Sequence, residues 1–167
     1  MEDGGMARKK LLSGKRILIV DDEPDVLETL EELLDSTRIT KVDNYKDAKQ
    51  LLETKRFDIA VLDIMGVDGY ELLQIATEKK ITAVILTAHA LSPEHTARSQ
   101  KGGAALYVPK DKIVDIATYL EDVLEAEQEG KSTWWRWIDR FADYYDEKFE
   151  KDWQFRDKDF WKSFPYA

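Results

Sequence analysis

The chain has 167 residues, 43% of them hydrophobic, a net charge of −9 and no cysteine. That length accommodates one domain of ordinary size plus a short addition, and the apolar content excludes global disorder. The absence of cysteine excludes disulfides and thiolate metal sites, and the acidic balance argues against DNA or other general nucleic-acid binding, which needs clustered cations.

In chain order, residues 1–14 are basic at Arg8, Lys9 and Lys10 but lack the apolar stretch of a signal peptide. They read as a flexible leader. From residue 15 to 130, strand and helix signals alternate five times. Ile17-Leu18-Ile19-Val20 is an apolar run of the kind buried on both faces of a sheet. Pro24 suits a first helical turn, and Val26, Leu27, Leu30, Leu33 and Leu34 recur at helical spacing. A weaker strand follows at Ile39 to Val42, then a helix bearing Tyr45, Ala48, Leu51 and Leu52, and a third strand from Phe57 to Leu62.

Gly69 closes the next loop, and Leu72, Leu73, Ile75 and Ala76 mark the third helix. Ile81 to Leu86 is the fourth strand. Ser92-Pro93-Glu94 starts a fourth helix, Gly102-Gly103 stops it, and Ala104 to Val108 is the fifth strand. Ile113, Ile116, Ala117, Leu120, Val123 and Leu124 line a fifth helix that Gly130 ends. No apolar run approaches the roughly 18 residues of a membrane span, so the expectation is a cytoplasmic chain without membrane contact.

Five βα units joined by short links imply a parallel sheet with right-handed crossovers. Ligand sites in such sheets lie just beyond the carboxyl ends of the strands. There the sequence places Asp21-Asp22 after the first strand, Asp63 after the third, Thr87 after the fourth and Lys110 after the fifth. One aspartate after a strand is commonly a turn or cap residue. Four strands contributing polar residues to one edge make a stronger signal. Clustered carboxylates repel unless a hard cation such as Mg²⁺ joins them, and a carboxylate can accept a phosphoryl group as an acyl phosphate. Lys110 would offer an ammonium, and Thr87 a hydroxyl, to phosphoryl oxygens.

The order Asp21-Asp22, Asp63, Thr87-Ala88 and Lys110, with the approach Gly103-Ala104-Ala105-Leu106-Tyr107-Val108-Pro109-Lys110, resembles the receiver domains of bacterial response regulators. The resemblance covers about 115 residues and implies a flavodoxin-like doubly wound (βα)5 fold with strand order 2-1-3-4-5. It implies Asp63 as phosphoacceptor, Mg²⁺ held by Asp21, Asp22, Asp63 and the Met65 carbonyl, and phosphoryl contacts from Thr87, Ala88 and Lys110, with Tyr107 as switch partner of Thr87. A sensor histidine kinase or phosphotransfer protein would supply the phosphoryl group. The signal would leave through a protein partner or a homodimer made by helix four, strand five and helix five.

Three features depart from the family pattern. The loop after Asp63 runs Ile64-Met65-Gly66-Val67-Asp68-Gly69, shorter than in many relatives, with Gly66 able to make the tighter turn. Pro109 precedes Lys110 and Asp111 follows, so the family's cis bond after the lysine is absent; Asp111 either weakens the lysine's hold on phosphate or caps helix five. Met65 and His89 occupy positions that tune phosphoryl lifetime in relatives, although His89 reads more readily as a solvent-exposed loop residue.

Residues 131–167 form an extension of different composition, holding all five tryptophans of the chain. Trp134, Ile138, Phe141, Tyr145, Phe149 and Trp153 recur every three to four residues and would share one helical face with Trp137 nearby. Eight acidic and seven basic residues leave the segment after 131 near neutral, which disfavours DNA and anionic membranes. Packing back on the receiver, self-association, docking of another protein and stacking of single-stranded nucleic acid on the aromatics all remain open for it.

Two other functional classes compete. A phosphatase of the haloacid-dehalogenase kind also uses an aspartyl phosphate but places Asp-x-Asp after strand one, where this chain has Asp21-Asp22-Glu23. A scaffold acting without phosphate would not need Asp22, Asp63, Thr87 and Lys110 together. The expectation is a signalling module whose only catalysis is on its own phosphorylation.

Overall fold

Five strands run parallel in the order β2-β1-β3-β4-β5: β1 (Arg16–Val20), β2 (Arg38–Val42), β3 (Ile59–Asp63), β4 (Thr82–Thr87) and β5 (Leu106–Pro109). The computed structural model describes residues 11–64, 66–88 and 93–131. Every residue of β3 is buried, as is β1 after Arg16, because both faces of the sheet lie under helices. Those helices are α1 (Pro24–Leu33), α2 (Tyr45–Thr54), α3 (Gly69–Glu78), α4 (Pro93–Lys101) and α5 (Ile116–Gln128).

Local chemistry starts and stops these elements. Pro24 opens α1, whose Leu27 and Leu30 face the core. The Asn44 side chain caps α2 by accepting from the Asp47 amide at 2.9 Å. α5 closes with Gly130 at φ 69°, its amide on the Glu127 carbonyl, and the Lys131 amide on the Ala126 carbonyl. Those two bonds form a Schellman closure. Before α5, Lys110–Asp115 winds as a 3₁₀ turn.

Five sequence expectations shift. The third strand begins at Ile59 rather than Phe57, because the Asp58 carboxylate is turned back to accept the Arg16 amide at 2.8 Å. The fifth strand begins at Leu106 and reaches Pro109, and the fifth helix starts at Ile116 because the 3₁₀ turn intervenes. Asp111 lies inside that turn, whose N-cap is Pro109, so it is no cap of α5. Leu12 falls in the stretch expected as leader yet is buried in the core. An apolar side chain beside the α1–α5 layer gains more from burial than from a free end.

Candidate functional site

The registers of the sheet set the site. Val20 pairs with Leu62, so Asp21 and Asp63 emerge side by side from β1 and β3. Asp63 pairs with Leu86 and Thr87 with Pro109, which brings Thr87 and Lys110 to the same edge. Asp21, Asp63 and Thr87 are all buried, whereas Asp22 is exposed, because consecutive residues leaving a strand point opposite ways.

Lys110 ties the site together. Its Nζ lies 2.8 Å from Asp21 Oδ2, 3.1 Å from Glu23 Oε1 and 3.5 Å from Asp63 Oδ1. Asp21 Oδ1 accepts the Glu23 amide at 2.9 Å. Burial, the Asp21 charge and the Asp22 charge push Asp63 up to about 6, against the pull of Lys110. Burial likewise raises Asp21, with Lys110 opposing it. Burial would lower Lys110, but the carboxylates of Asp21, Glu23 and Asp63 outweigh it and hold the ammonium charged.

Two glycines keep the crevice open. A Cβ on Gly69 would stand 2.1 Å from the Asp63 carbonyl oxygen, so the start of α3 can approach β3 only without a side chain. Gly66, at φ 81°, would place a Cβ 2.5 Å from Asp22 Oδ2. The short loop after Asp63 thus makes its tight turn where Asp22 needs space.

The donor set suits a hard cation. One oxygen each of Asp21, Asp22 and Glu23 lies within 4.8 Å of the others. Asp21 Oδ2 is buried and met by Lys110 Nζ at 2.8 Å, with no other hydrogen-bond partner among the described residues. A buried carboxylate oxygen with spare lone pairs beside two further carboxylates is what Mg²⁺ or a similar ion requires.

Of the expected site residues, the structure joins Asp21, Asp63 and Lys110 directly and sets Asp22 beside them. Thr87 and Tyr107 share one face of the sheet, because Tyr107 pairs with Ile85, two residues before Thr87. Tyr107 is wholly buried, and Ala88 is exposed just past β4. Met65, His89, and Trp134, Trp137, Phe141, Tyr145, Phe149 and Trp153 lie outside the described residues. Glu23 joins the site without having been expected; its signal was adjacency to Asp21-Asp22.

A doubly wound parallel sheet with a carboxylate–lysine crevice at its carboxyl edge has its ligand site where this class of α/β domain places it. Residues 17–121 match the response regulator receiver domain, and the chain belongs to that family. It is 31% identical over 121 residues to the response regulator protein PilR of Pseudomonas aeruginosa, covering 69% of this chain and 26% of that protein. It is 35% identical over 95 residues to the two-component response regulator ARR18 of Arabidopsis thaliana, covering 53% of this chain and 15% of that one. The chain therefore spans well under two thirds of these relatives. The crystal structure of a CheY-like receiver domain protein from Methanospirillum hungatei superposes with a TM-score of 0.59 at 25% identity, over 69% of this chain and 99% of the other. Receiver domains are signalling modules, and neither the phosphatase nor the scaffold alternative is favoured by these matches. Among the described residues no helix is long and apolar enough to cross a membrane.

Proposed function

We propose that Asp63 accepts a phosphoryl group from a sensor histidine kinase or phosphotransfer protein, and that the resulting charge switches a protein-interaction surface. The observation that carries this reading is Lys110, held by Asp21 and Glu23 with its Nζ 3.5 Å from Asp63 Oδ1. An Asp63 oxygen forms the new bond to phosphorus while the donor nitrogen departs with its electron pair. Lys110 is placed to neutralise a phosphoryl oxygen, and burial strengthens that attraction by excluding water.

Asp21, Asp22 and Asp63, with the Met65 carbonyl, would hold Mg²⁺, and Glu23 is close enough to add an oxygen or a water-bridged contact. Mg²⁺ would supply positive charge against the transferring oxygens. Thr87 would donate its hydroxyl to the phosphoryl group, Ala88 would contribute from the adjoining loop, and Tyr107 on the same sheet face would respond to the move. The surface altered would be α4, β5 and α5, serving a downstream protein or a homodimer. Met65 and His89 would set the lifetime of the acyl phosphate. No catalysis beyond the chain's own phosphorylation and dephosphorylation is proposed, and the chain would act in the cytoplasm.

Incubation with Mg²⁺ and acetyl phosphate, followed by intact mass, tests this. One labile phosphoryl adduct that Asp63→Asn abolishes is expected; an adduct that survives the substitution, or none with any donor, would sink the reading.

A further inference from the structure

The edge of the sheet opposite Asp63 has the reverse charge. Two adjoining grooves of about 680 and 390 Å³ run along the amino ends of the strands and share Arg16, Lys55, Arg56 and Phe57. Arg38, Lys79 and Lys80 complete their cations, so six basic side chains face only two acidic ones, Glu53 and Asp58. All six cations are exposed, and among the described residues none takes part in an ion pair. Lys55, Arg56, Lys79 and Lys80 follow the carboxyl ends of α2 and α3, where helix dipoles favour positive charge. Arg16 and Arg38 each begin a strand, so that explanation does not reach them.

The chain leaves the described structure at this same edge. The hydroxyl of Thr82, first residue of β4, donates to Glu127 near the end of α5, and Ile81 beside it lines the groove. The Schellman closure at Gly130 and Lys131 then fixes the exit point. Beyond it, Asp139, Asp143, Asp146 and Glu150 recur in the sequence at intervals of four, three and four, a spacing that on a helix would put them on one face about a third of a turn from the aromatic residues.

We propose that the acidic face of residues 139–150 docks across this basic belt within the same chain. Twelve helical residues span roughly 18 Å, and the belt runs from β2 to β4, three strand spacings or roughly 14 Å. The tether of Ser132 to Ile138 is short, so the acidic face stands at an effective concentration on the order of millimolar, and docking needs about 4 kcal/mol in all, or about 1 kcal/mol from each of four ion pairs. A nucleic-acid occupant is disfavoured by the net charge of −9. The aromatic stripe is turned off the belt and stays available for another contact.

Carbodiimide cross-linking of the full chain, dilute and at low salt, tests this directly, with mass spectrometry of an equal mixture of ¹⁵N-labelled and unlabelled protein. Lys41 and Glu31, exposed and 3.3 Å apart, are the internal control. Amide links from Lys55, Lys79 or Lys80 to Asp139, Asp143, Asp146 or Glu150 are expected within single chains. They should be lost in high salt and in Lys79→Glu/Lys80→Glu, with the control link retained. They should return when Asp143→Lys/Asp146→Lys is added, now joining the introduced glutamates to the introduced lysines. Circular dichroism checks that each variant is folded. A control link without tail links would overturn the proposal, and so would mixed-isotope links making up about half of all tail links, the share that random pairing of two molecules gives.

Discussion

Lys110 Nζ stands 2.8 Å from Asp21 Oδ2, with the aspartate wholly buried and one tenth of the lysine side chain exposed. The pair is sequestered from water, so each charge depends on the other for compensation, and the same ammonium is thereby held within reach of Asp63. Replacing Lys110 with Met should cost about 3 kcal/mol, most of it the penalty of stranding a buried carboxylate. Asp21→Asn in the same background should recover most of that loss. Urea denaturation of the four-member cycle measures the coupling, and simple additivity would show that the pair is not coupled.

Asp63 supplies a second prediction. Its folded value of about 6 lies above the ordinary 3.8, so between these values the native state binds a proton that the unfolded chain lacks. Stability from this group is therefore fully present below about 3.8 and is lost as pH rises through about 6. At pH 7.5, Asp63→Asn should be more stable than the parent by on the order of 2 kcal/mol, seen as a higher Tm. Thermal melts of both proteins from pH 7.5 to 4.5 should converge as pH falls; parallel curves would refute the ionisation cost.

Mg²⁺ should act in the direction of Asp63→Asn, because it offsets the same repulsion. At ten times its Kd the ion should stabilise the parent by about 1.4 kcal/mol. Asp22→Asn should largely abolish the rise in Tm with added Mg²⁺ while changing the metal-free protein little, since Asp22 is exposed. An unchanged Mg²⁺ response in that variant would remove Asp22 from the ligand set.

The glycines separate folding from chemistry. Gly69→Ala sets a methyl against backbone, 2.1 Å from the Asp63 carbonyl, and should destabilise by about 3 kcal/mol or more in urea melts. Gly66→Ala meets a side chain, Asp22, which can rotate away. It should cost about 1 kcal/mol of backbone strain and act chiefly by slowing Mg²⁺-dependent phosphorylation. Equal effects of the two substitutions on stability would contradict this division.

Much of this was legible in the chain before folding. Apolar runs such as Ile17 to Val20 and Ile59 to Leu62 mark buried strands because both faces of each must be apolar. Once five such runs alternate with helices, a parallel sheet follows, and with it the meeting of Asp21, Asp63, Thr87 and Lys110 at one edge. Boundaries were less legible. Phe57 and Ile113 match the apolar pattern of their elements but lie outside β3 and α5, because a backbone hydrogen bond to Asp58 and a 3₁₀ turn intervene.

By itself, then, the sequence determined the βα alternation, the residue types at the strand ends and their order along the chain, since these depend on local pattern and on the few topologies open to short connections. Tertiary structure alone decided that Asp21 rather than Asp22 is the buried partner of Lys110, that Glu23 joins the site, that Leu12 belongs to the core, and that exposed cations without an ion pair among the described residues gather near the end of α5. Each of those depends on distances between residues far apart in sequence, and charge and burial act through distance in space.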